Sequence, residues 1–462
     1  MLPQRVAKRG RTAIAKLALI ALGVGFAAVG IGPAQALAGG PQTLTGTFGD
    51  GATYLIQVPA DWNGTLVLYS HGYVTPGSAN PATDVGDPLT GQWLLTNGYA
   101  LAGASYATTG WAVQQAIPDQ LATVNTFDHL VGKPNRTIAW GHSLGGMITA
   151  GLIQLAPQDF TAALPMCGVV AGGVQTWNLA LDSELAVQQL LGPTSGLQIV
   201  NITDPTANLT LAEELYAGAQ ATPQGQARIA LAAALGDIPG WFDPTSPEPA
   251  PTDYTAQEAN QFLWATEVDG PFAFAFRAEL EARAGGNPSW TGGVNFWQQL
   301  QESPDYTEVR ALYHAAGLSL SADMTTLTAA PRITPDPSAV AYLKHNIVYN
   351  GDLRQPVLTL HTTGDGLVVN EDESQYKNTV DAAGKGHLLR QEFVSRAGHC
   401  TFTPAETIAA FQALIHRVNT GHWRNLSPAA LNAVATSLGP TYNTAPAAYT
   451  PFTPLPFQRP AS

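Results

Sequence analysis

The stretch Trp140-Gly141-His142-Ser143-Leu144-Gly145-Gly146 decides how this chain is interpreted. It follows an apolar run, residues 136–139, with the pattern of a buried β-strand, and it precedes an apolar run, residues 147–153, with the pattern of a helix. A Gly-x-Ser-x-Gly motif between a strand and a helix is typical of a nucleophile elbow, a sharp turn that exposes a serine hydroxyl. Ser143 is therefore the predicted nucleophile. The alternative is a glycine-rich turn that merely contains a serine.

A serine nucleophile needs a histidine base and a carboxylate that orients it, and after an elbow the acid precedes the histidine along the chain. Residues 355–365 have the pattern of a buried strand that ends in a turn. Asp365 lies just beyond the carboxyl end of that strand, the edge at which open α/β sheets have their active sites. Asp352 precedes the strand, and residues 371–373 have the position of an acidic first helical turn. Asp365 is therefore the predicted acid.

His399 is the predicted base. It follows a strand-like run, residues 388–394, through a short loop in which Gly398 allows a sharp bend. The other histidines lie before the acid, at the wrong end of a strand, or in the last helix. His142 belongs to the elbow itself, and His361, just before the predicted acid, is interpreted as a wall or supporting residue.

Two backbone N–H groups are predicted to stabilise the oxyanion of an acyl-transfer reaction. One belongs to Leu144, the residue after the nucleophile. The other is expected in the loop after the third strand, and residues 64–70 have the pattern of that strand. His71-Gly72-Tyr73 follows it, so the N–H of Tyr73 is the predicted second donor.

These motifs together resemble the α/β-hydrolase superfamily, and specifically its secreted bacterial esterase and lipase-like members. The resemblance covers residues of about 41–180 and 346–420. It implies a mostly parallel eight-stranded sheet with helices on both faces, and hydrolysis through an acyl-enzyme. The residues that carry it are Ser70-His71-Gly72-Tyr73, the elbow residues Gly141, His142, Ser143, Leu144 and Gly145, Thr363-Gly364-Asp365, and Gly398-His399.

The spacing of the motifs predicts a large insertion. Ser143 and Asp365 are 222 residues apart, far more than alternating strands and helices require. The excess has apolar residues at helical spacing and proline-rich breaks, which favours a helical cap inserted after the sixth strand. The predicted organisation is a signal peptide at 1–38, the first part of the core at 39–175, the cap at 176–345, the second part of the core at 346–425, and a Pro/Thr/Ala-rich, extended or disordered tail at 426–462.

Aromatic residues concentrate in the predicted cap. They are expected to form its core or an apolar roof over the substrate pocket, which favours an apolar or aromatic ester. The one charged stretch of the cap, residues 277–283, is interpreted as a solvated helix face. The alternative is that Glu279 or Glu281 supplies a carboxylate for amine recognition. The aromatic residues are Trp177, Trp241, Trp264, Trp290, Trp297, Phe262, Phe272, Phe274, Phe276 and Phe296.

Cys167 and Cys400 are the two cysteines of the chain. Cys167 ends the strand-like run after the elbow helix, and Cys400 directly follows His399. In an α/β-hydrolase fold both would lie at the carboxyl edge of the sheet, close enough for a disulfide. The alternative is a pair of buried free thiols.

The N-terminal residues predict export. Residues 1–16 carry five basic residues and no acid, an apolar run from Leu17 to Ile31 follows, and Ala36-Leu37-Ala38 fits a cleavage site. The apolar run is short for a membrane anchor and lacks a basic stop-transfer sequence. Cleavage near Ala38 would leave 16 basic against 34 acidic residues, a formal charge of −18. Such a surface disfavours nucleic acid as a partner.

The sequence thus predicts a secreted serine hydrolase that cleaves small-molecule or polymeric esters. No nucleotide-binding fingerprint or metal-ligand spacing occurs in a suitable context, so no cofactor and no metal is expected. The alternatives are a cap-bearing serine aminopeptidase, a lipase or polyesterase, and a catalytically inactive binding module.

Overall fold

A nine-stranded sheet forms the centre of residues 40–459, the part of the chain that the computed structural model describes. The spatial order of the strands, numbered along the chain, is 1-2-4-3-5-6-7-8-9. Strands three to eight run parallel, whereas the first two and the last are antiparallel to their neighbours. The strands are β1 Gln42–Thr47, β2 Thr53–Val58, β3 Thr65–Ser70, β4 Ala100–Ala104, β5 Arg136–His142, β6 Ala162–Met166, β7 Val357–Gly364, β8 Leu389–Ala397 and β9 Tyr449–Thr450.

The composition of each strand matches its place in the sheet. Every residue of β3 and β6 is buried, as central parallel strands covered on both faces require. The outer strand β1 instead alternates partly buried and exposed residues. Burial on both faces therefore selects continuous apolar runs in the centre of the sheet.

Helices cover both faces of the sheet. On one face, α2 (Val113–Leu130) and α3 (Leu144–Leu155) pack against a core that includes Phe127 and Ile148. On the other face, α1 (Pro88–Thr96) and α14 (Pro404–Thr420) pack against a second core. A capping box at Thr403 and Glu406 begins α14, satisfying the first N–H groups of that helix.

Further helices form the insertion between β6 and β7. They bury a core of their own, which includes Leu181, Leu231 and Phe296. Two segments of this insertion, Trp264–Asp269 and Phe272–Phe276, are π-helical. The α-helices are α4 Gly173–Leu190, α5 Pro205–Gln220, α6 Pro223–Leu235, α7 Tyr254–Leu263, α8 Arg277–Ala284, α9 Phe296–Glu302, α10 Tyr306–Ala315, α11 Leu320–Ala329 and α12 Pro337–Asn346.

The strand order and the elbow between β5 and α3 define an α/β-hydrolase fold, so the predicted fold class is confirmed. The sheet has nine strands where eight were expected. The additional strand, β9, lies in the C-terminal segment, and it pairs with β8 along an otherwise open edge. The same segment contains α15, Pro428–Ser437. The remaining helix of the core, besides α1, α2, α3 and α14, is α13, Glu371–Ala382.

The predicted signal peptide, residues 1–38, lies outside the described residues. Within residues 40–459, none of the helices combines the length and the apolar character that crossing a bilayer requires.

Candidate active site

Ser143 occupies the turn between β5 and α3 in a strained backbone conformation. Its φ is 59° and its ψ is −127°, values that L-residues seldom adopt outside functional turns. The neighbouring glycines make this turn possible, because a Cβ at Gly145 would meet the carbonyl oxygens of Ser70 and His71. A Cβ at Gly141 would lie 2.6 Å from the same Ser70 oxygen. The elbow residues therefore bring β3 and β5 into close contact beneath the serine.

The predicted oxyanion donors line the same cavity as the serine. Leu144 is the first residue of α3, where N–H groups have no partner within the helix. Tyr73 follows β3, and Tyr73, Ser143 and Leu144 all border the cavity. Gly72 approaches the serine so closely that a Cβ there would lie 3.3 Å from the Ser143 Cβ.

His71 orients the Gly72–Tyr73 peptide. Its Nδ1 lies 2.8 Å from the Gly72 carbonyl oxygen, and its Nε2 lies 3.0 Å from the Ser105 carbonyl oxygen. The ring stacks on Tyr106 at 3.9 Å between centroids, and burial lowers the pKa of His71. Because a peptide is planar and trans, holding the Gly72 carbonyl on one side turns the Tyr73 N–H to the other.

Asp365 and His399 form a hydrogen-bonded pair at the carboxyl edge of the sheet. His399 Nδ1 lies 2.7 Å from Asp365 Oδ2. The other carboxylate oxygen, Oδ1, accepts hydrogen bonds from the N–H groups of Leu367 and Val368, each at 3.1 Å. Burial alone would raise the pKa of Asp365, but the imidazoles of His399 and His361 outweigh it and lower that pKa. The carboxylate is thus fixed in position and ionised.

His361 is a second imidazole next to the Asp365 carboxylate. Its Nε2 lies 2.8 Å from the Val368 carbonyl oxygen and 3.5 Å from Asp365 Oδ2, while its Nδ1 lies 3.3 Å from Glu373 Oε1. Both nitrogens therefore face acceptors, which suits an imidazolium. Burial would lower the pKa of His361, yet the carboxylates of Asp365 and Glu373 raise it to about 10. Thr359 donates a hydrogen bond of 2.6 Å to Glu373 and completes this buried network.

A disulfide ties the histidine loop to the loop beside the elbow. Cys167 and Cys400 are bridged, with their Cα atoms 5.5 Å apart. The Ser143 N–H donates to the carbonyl oxygen of Met166, the residue before Cys167. Ser143 is thus hydrogen-bonded to the residue before Cys167, and His399 directly precedes Cys400, the other cysteine of the disulfide. His399 Nε2 lies 3.3 Å from Cys400 Sγ, and the Ser143 hydroxyl forms no hydrogen bond with any residue of 40–459.

A cavity of about 120 Å³ opens beside Ser143 and is lined mainly by apolar and aromatic side chains of the insertion. Of the aromatic residues considered from sequence, Trp177, Phe272 and Phe274 border it. Trp264 is instead buried in a small cluster with Ala233 and Ile238. The insertion therefore supplies part of the wall next to the serine.

The charged stretch 277–283 is neither a solvated face nor a wall of this cavity. Arg277 and Glu281 are buried and form an ion pair at 3.1 Å. Glu279 pairs with Arg283 at 2.5 Å and accepts the N–H of Trp111 at 3.0 Å. Helical i,i+4 spacing brings each carboxylate to an arginine, so both expectations for this stretch were wrong.

Two other carboxylic acids line the cavity, and neither was singled out from the sequence. Glu184 of α4 is 2% exposed, and both of its oxygens lack a hydrogen-bond partner within the described chain. Asp269, the last residue of a π-helical segment, likewise has two buried, unpartnered oxygens among residues 40–459. No local motif marks these residues, because only the packing of the insertion brings them to the cavity that Ser143 borders.

The strand order, the elbow serine and the Asp365–His399 pair together are typical of the α/β-hydrolase fold. It is similar to an o-phthalyl amidase of Xanthobacter agilis, with 28% identity over 422 residues that cover 84% of this chain and 90% of the amidase. No protein-family model matches the chain.

Several solved structures match most of the chain at low sequence identity. Feruloyl esterase B of Aspergillus oryzae matches 83% of this chain and 81% of its own, with 14% identity and a TM-score of 0.39. The cell-wall-degrading esterase LipA of Xanthomonas oryzae matches 82% of this chain and 89% of its own, with 13% identity and a TM-score of 0.36. An acylaminoacyl peptidase of Pyrococcus horikoshii matches 86% of this chain and 44% of its own, with 9% identity and a TM-score of 0.39.

Proposed function

We propose that this protein is a secreted serine hydrolase that cleaves carboxylic esters through an acyl-enzyme, with Ser143 as nucleophile, His399 as base and Asp365 as the orienting acid. One observation carries the proposal. A serine in a strained elbow and a hydrogen-bonded Asp365–His399 pair lie on loops at the same edge of one sheet, joined through the Cys167–Cys400 bridge. A buried carboxylate paired to an imidazole is the arrangement that activates a serine alcohol.

In the proposed reaction, the Nδ1–H of His399 donates to Asp365, which leaves the lone pair on Nε2. Nε2 moves from its contact with Cys400 toward Ser143 and accepts the hydroxyl proton as Oγ attacks the ester carbonyl. Catalytic hydrogen bonds are often absent before substrate binds and form in the complex. The protonated imidazole then donates its proton to the leaving alcohol. In deacylation, Nε2 takes a proton from water as the water oxygen attacks the acyl carbonyl, and it returns that proton to Ser143 Oγ when the Oγ–acyl bond breaks and the acid leaves.

The N–H groups of Tyr73 and Leu144 are proposed to stabilise the oxyanion. Both residues border the cavity beside Ser143. Removal of one such donor typically slows an enzyme by about 10²–10³-fold. The apolar lining of the cavity favours an ester with an apolar or aromatic group.

Secretion is part of the proposal. It is supported by the leader-like residues 1–38 and by a disulfide, a bond that persists in oxidising compartments. The check is the N-terminal sequence of the protein recovered from culture medium. It should begin near residue 39, and retention of the full chain inside the cell would contradict this part.

Labelling and turnover test the nucleophile directly. A fluorophosphonate probe should label the wild type and Ser321→Ala, a control at an exposed serine of α11, but not Ser143→Ala. The same Ser143→Ala variant should lose hydrolysis of p-nitrophenyl butyrate by at least about 10⁴-fold. Labelling or turnover that persists in Ser143→Ala would refute the assignment.

Amide hydrolysis is the second candidate, and it is supported by the similarity to an o-phthalyl amidase. The same three side chains would act on an amide, with His399 protonating the leaving amine. A panel of matched phenyl esters, anilides and o-phthalyl amides separates the two candidates by kcat/KM. Aminoacyl anilides in the panel test an aminopeptidase, an emulsified triglyceride tests a lipase, and absence of all turnover would leave a binding module.

A further inference from the structure

The cavity beside Ser143 contains buried acids that accept no hydrogen bond from any group of residues 40–459. Glu184 and Asp269 both border it, and all four of their carboxyl oxygens are buried without a hydrogen-bond partner there. An unpartnered buried polar group typically costs about 1–3 kcal/mol, and more when it is charged. A polar partner from outside the chain, water or a ligand, would satisfy these oxygens.

The charges around these acids do not balance. Arg277 is the cation nearest to Glu184, with Nη1 3.6 Å from Oε2. That guanidinium is already paired with Glu281 at 3.1 Å and bonded to Asn287 at 2.9 Å. Asp269 has no ion-pair partner among the described residues. The cavity wall therefore has an excess of acid that one shared arginine does not offset.

Aromatic rings surround the same space. Trp177, Tyr216 and Phe272 line the cavity together with the two acids. Aromatic faces attract cations, and a carboxylate beside them attracts a cation more strongly. The volume of about 120 Å³ is comparable with the roughly 150 Å³ of an apolar cavity that holds benzene. The space therefore suits a phenyl-sized group bearing an amine.

We infer that Asp269 and Glu184 form a subsite for a protonated amine, so that the substrates of this enzyme carry an ammonium group next to an apolar or aromatic body. This inference rests on the proposed function, since it takes the cavity beside Ser143 as the substrate site. Asp269 is the principal contact, because Glu184 shares Arg277.

Burial raises the pKa of Glu184 to about 8, and burial also raises the pKa of Asp269 well above its ordinary value. An ammonium group in contact with a carboxylate favours its ionised form, so binding of the amine couples to ionisation of the acid.

Calorimetric binding of three similar probes to the full-length wild type tests the inference. The probes are 2-phenylethylamine, 2-phenylethanol and 3-phenylpropanoate. The amine is expected to bind at least about tenfold more tightly than the alcohol and the carboxylate, the usual gain from a charged hydrogen bond. The advantage should disappear in Asp269→Asn, shrink in Glu184→Gln, and persist in Asp61→Asn, a control at an exposed carboxylate.

Equal binding of the three probes would overturn the inference. So would tighter binding of 3-phenylpropanoate, which would mean that the protonated acids donate to an anion. Thermal unfolding of Asp269→Asn serves as the folding check, and its melting temperature should not fall, because the change removes an unpaired buried acid.

The proposed function and the amine subsite can be refuted independently of each other. Ser143→Ala should still bind 2-phenylethylamine with the affinity of the wild type. Amine binding without ester or amide turnover in the wild type would refute the hydrolase and leave the subsite. Turnover without any preference for the amine would refute the subsite and leave the hydrolase.

Discussion

Removal of the Cys167–Cys400 bridge should affect stability and turnover together. The bridge closes a loop with a sequence separation of 233 residues, which contains the whole helical insertion. The perturbation is the double variant Cys167→Ala/Cys400→Ala. It leaves the Asp365–His399 hydrogen bond in place and frees the loop that carries the histidine from the loop beside the elbow.

The loop length sets the size of the stability effect. Loop-closure entropy for a loop of this length corresponds to about 5 kcal/mol of unfolding free energy. With about 2.1 cal/mol/K of unfolding entropy per residue over the 420 described residues, the melting temperature should fall by about 6 °C. Because His399 Nε2 lies 3.3 Å from Cys400 Sγ, kcat should also fall by about tenfold, with little change in KM.

Differential scanning calorimetry and p-nitrophenyl ester kinetics measure both effects. Treatment of the wild type with a reductant should reproduce the lower melting temperature, whereas the double variant should not respond. A double variant that melts within 1 °C of the oxidised wild type, with unchanged kcat, would refute the view that this bridge holds the histidine loop.

Three further substitutions probe the site and the insertion. His71→Ala should lower kcat for ester hydrolysis by about tenfold or more, because the Gly72 carbonyl loses its partner and the oxyanion donor loosens; equal kcat would contradict this role. His361 has a pKa raised to about 10, so its contribution to stability is complete below pH 6.5 and is lost as pH rises to 10; denaturant unfolding of His361→Asn should lack that decline, and parallel pH curves would count against it. Arg459→Ala should destabilise the protein by about 3 kcal/mol, because Asp182 stays buried without its cation; an unchanged denaturation midpoint would exclude this effect.

The elbow could be recognised from the sequence because its cause is local. A strand, a tight turn and a helix require glycines at fixed offsets from Ser143, and those offsets are legible in seven consecutive residues. Asp365 and His399 could be proposed for a related reason. In a parallel sheet, a residue just past the carboxyl end of a strand belongs to a known edge, whatever the rest of the chain does.

The support around these residues could not be read in the same way. His361 is one residue in an almost continuously buried strand, and its contact with Glu373 depends on how α13 packs against the sheet. The sequence shows the arginines of stretch 277–283, but it does not show that the fold buries them. The edge strand β9 was also missed, since a two-residue pairing has no sequence pattern of its own.

Short-range chain geometry thus accounts for the fold class and for the proposed catalytic residues, since each depends on a few adjacent residues and on strand order. The character of the cavity has a different origin. Glu184 and Asp269 are 85 residues apart. Both border the same cavity only because α4 packs against the π-helical segment Phe272–Phe276, which in turn contacts Trp264–Asp269. Burial and charge imbalance are properties of that packing, and they arise only when distant segments exclude water together.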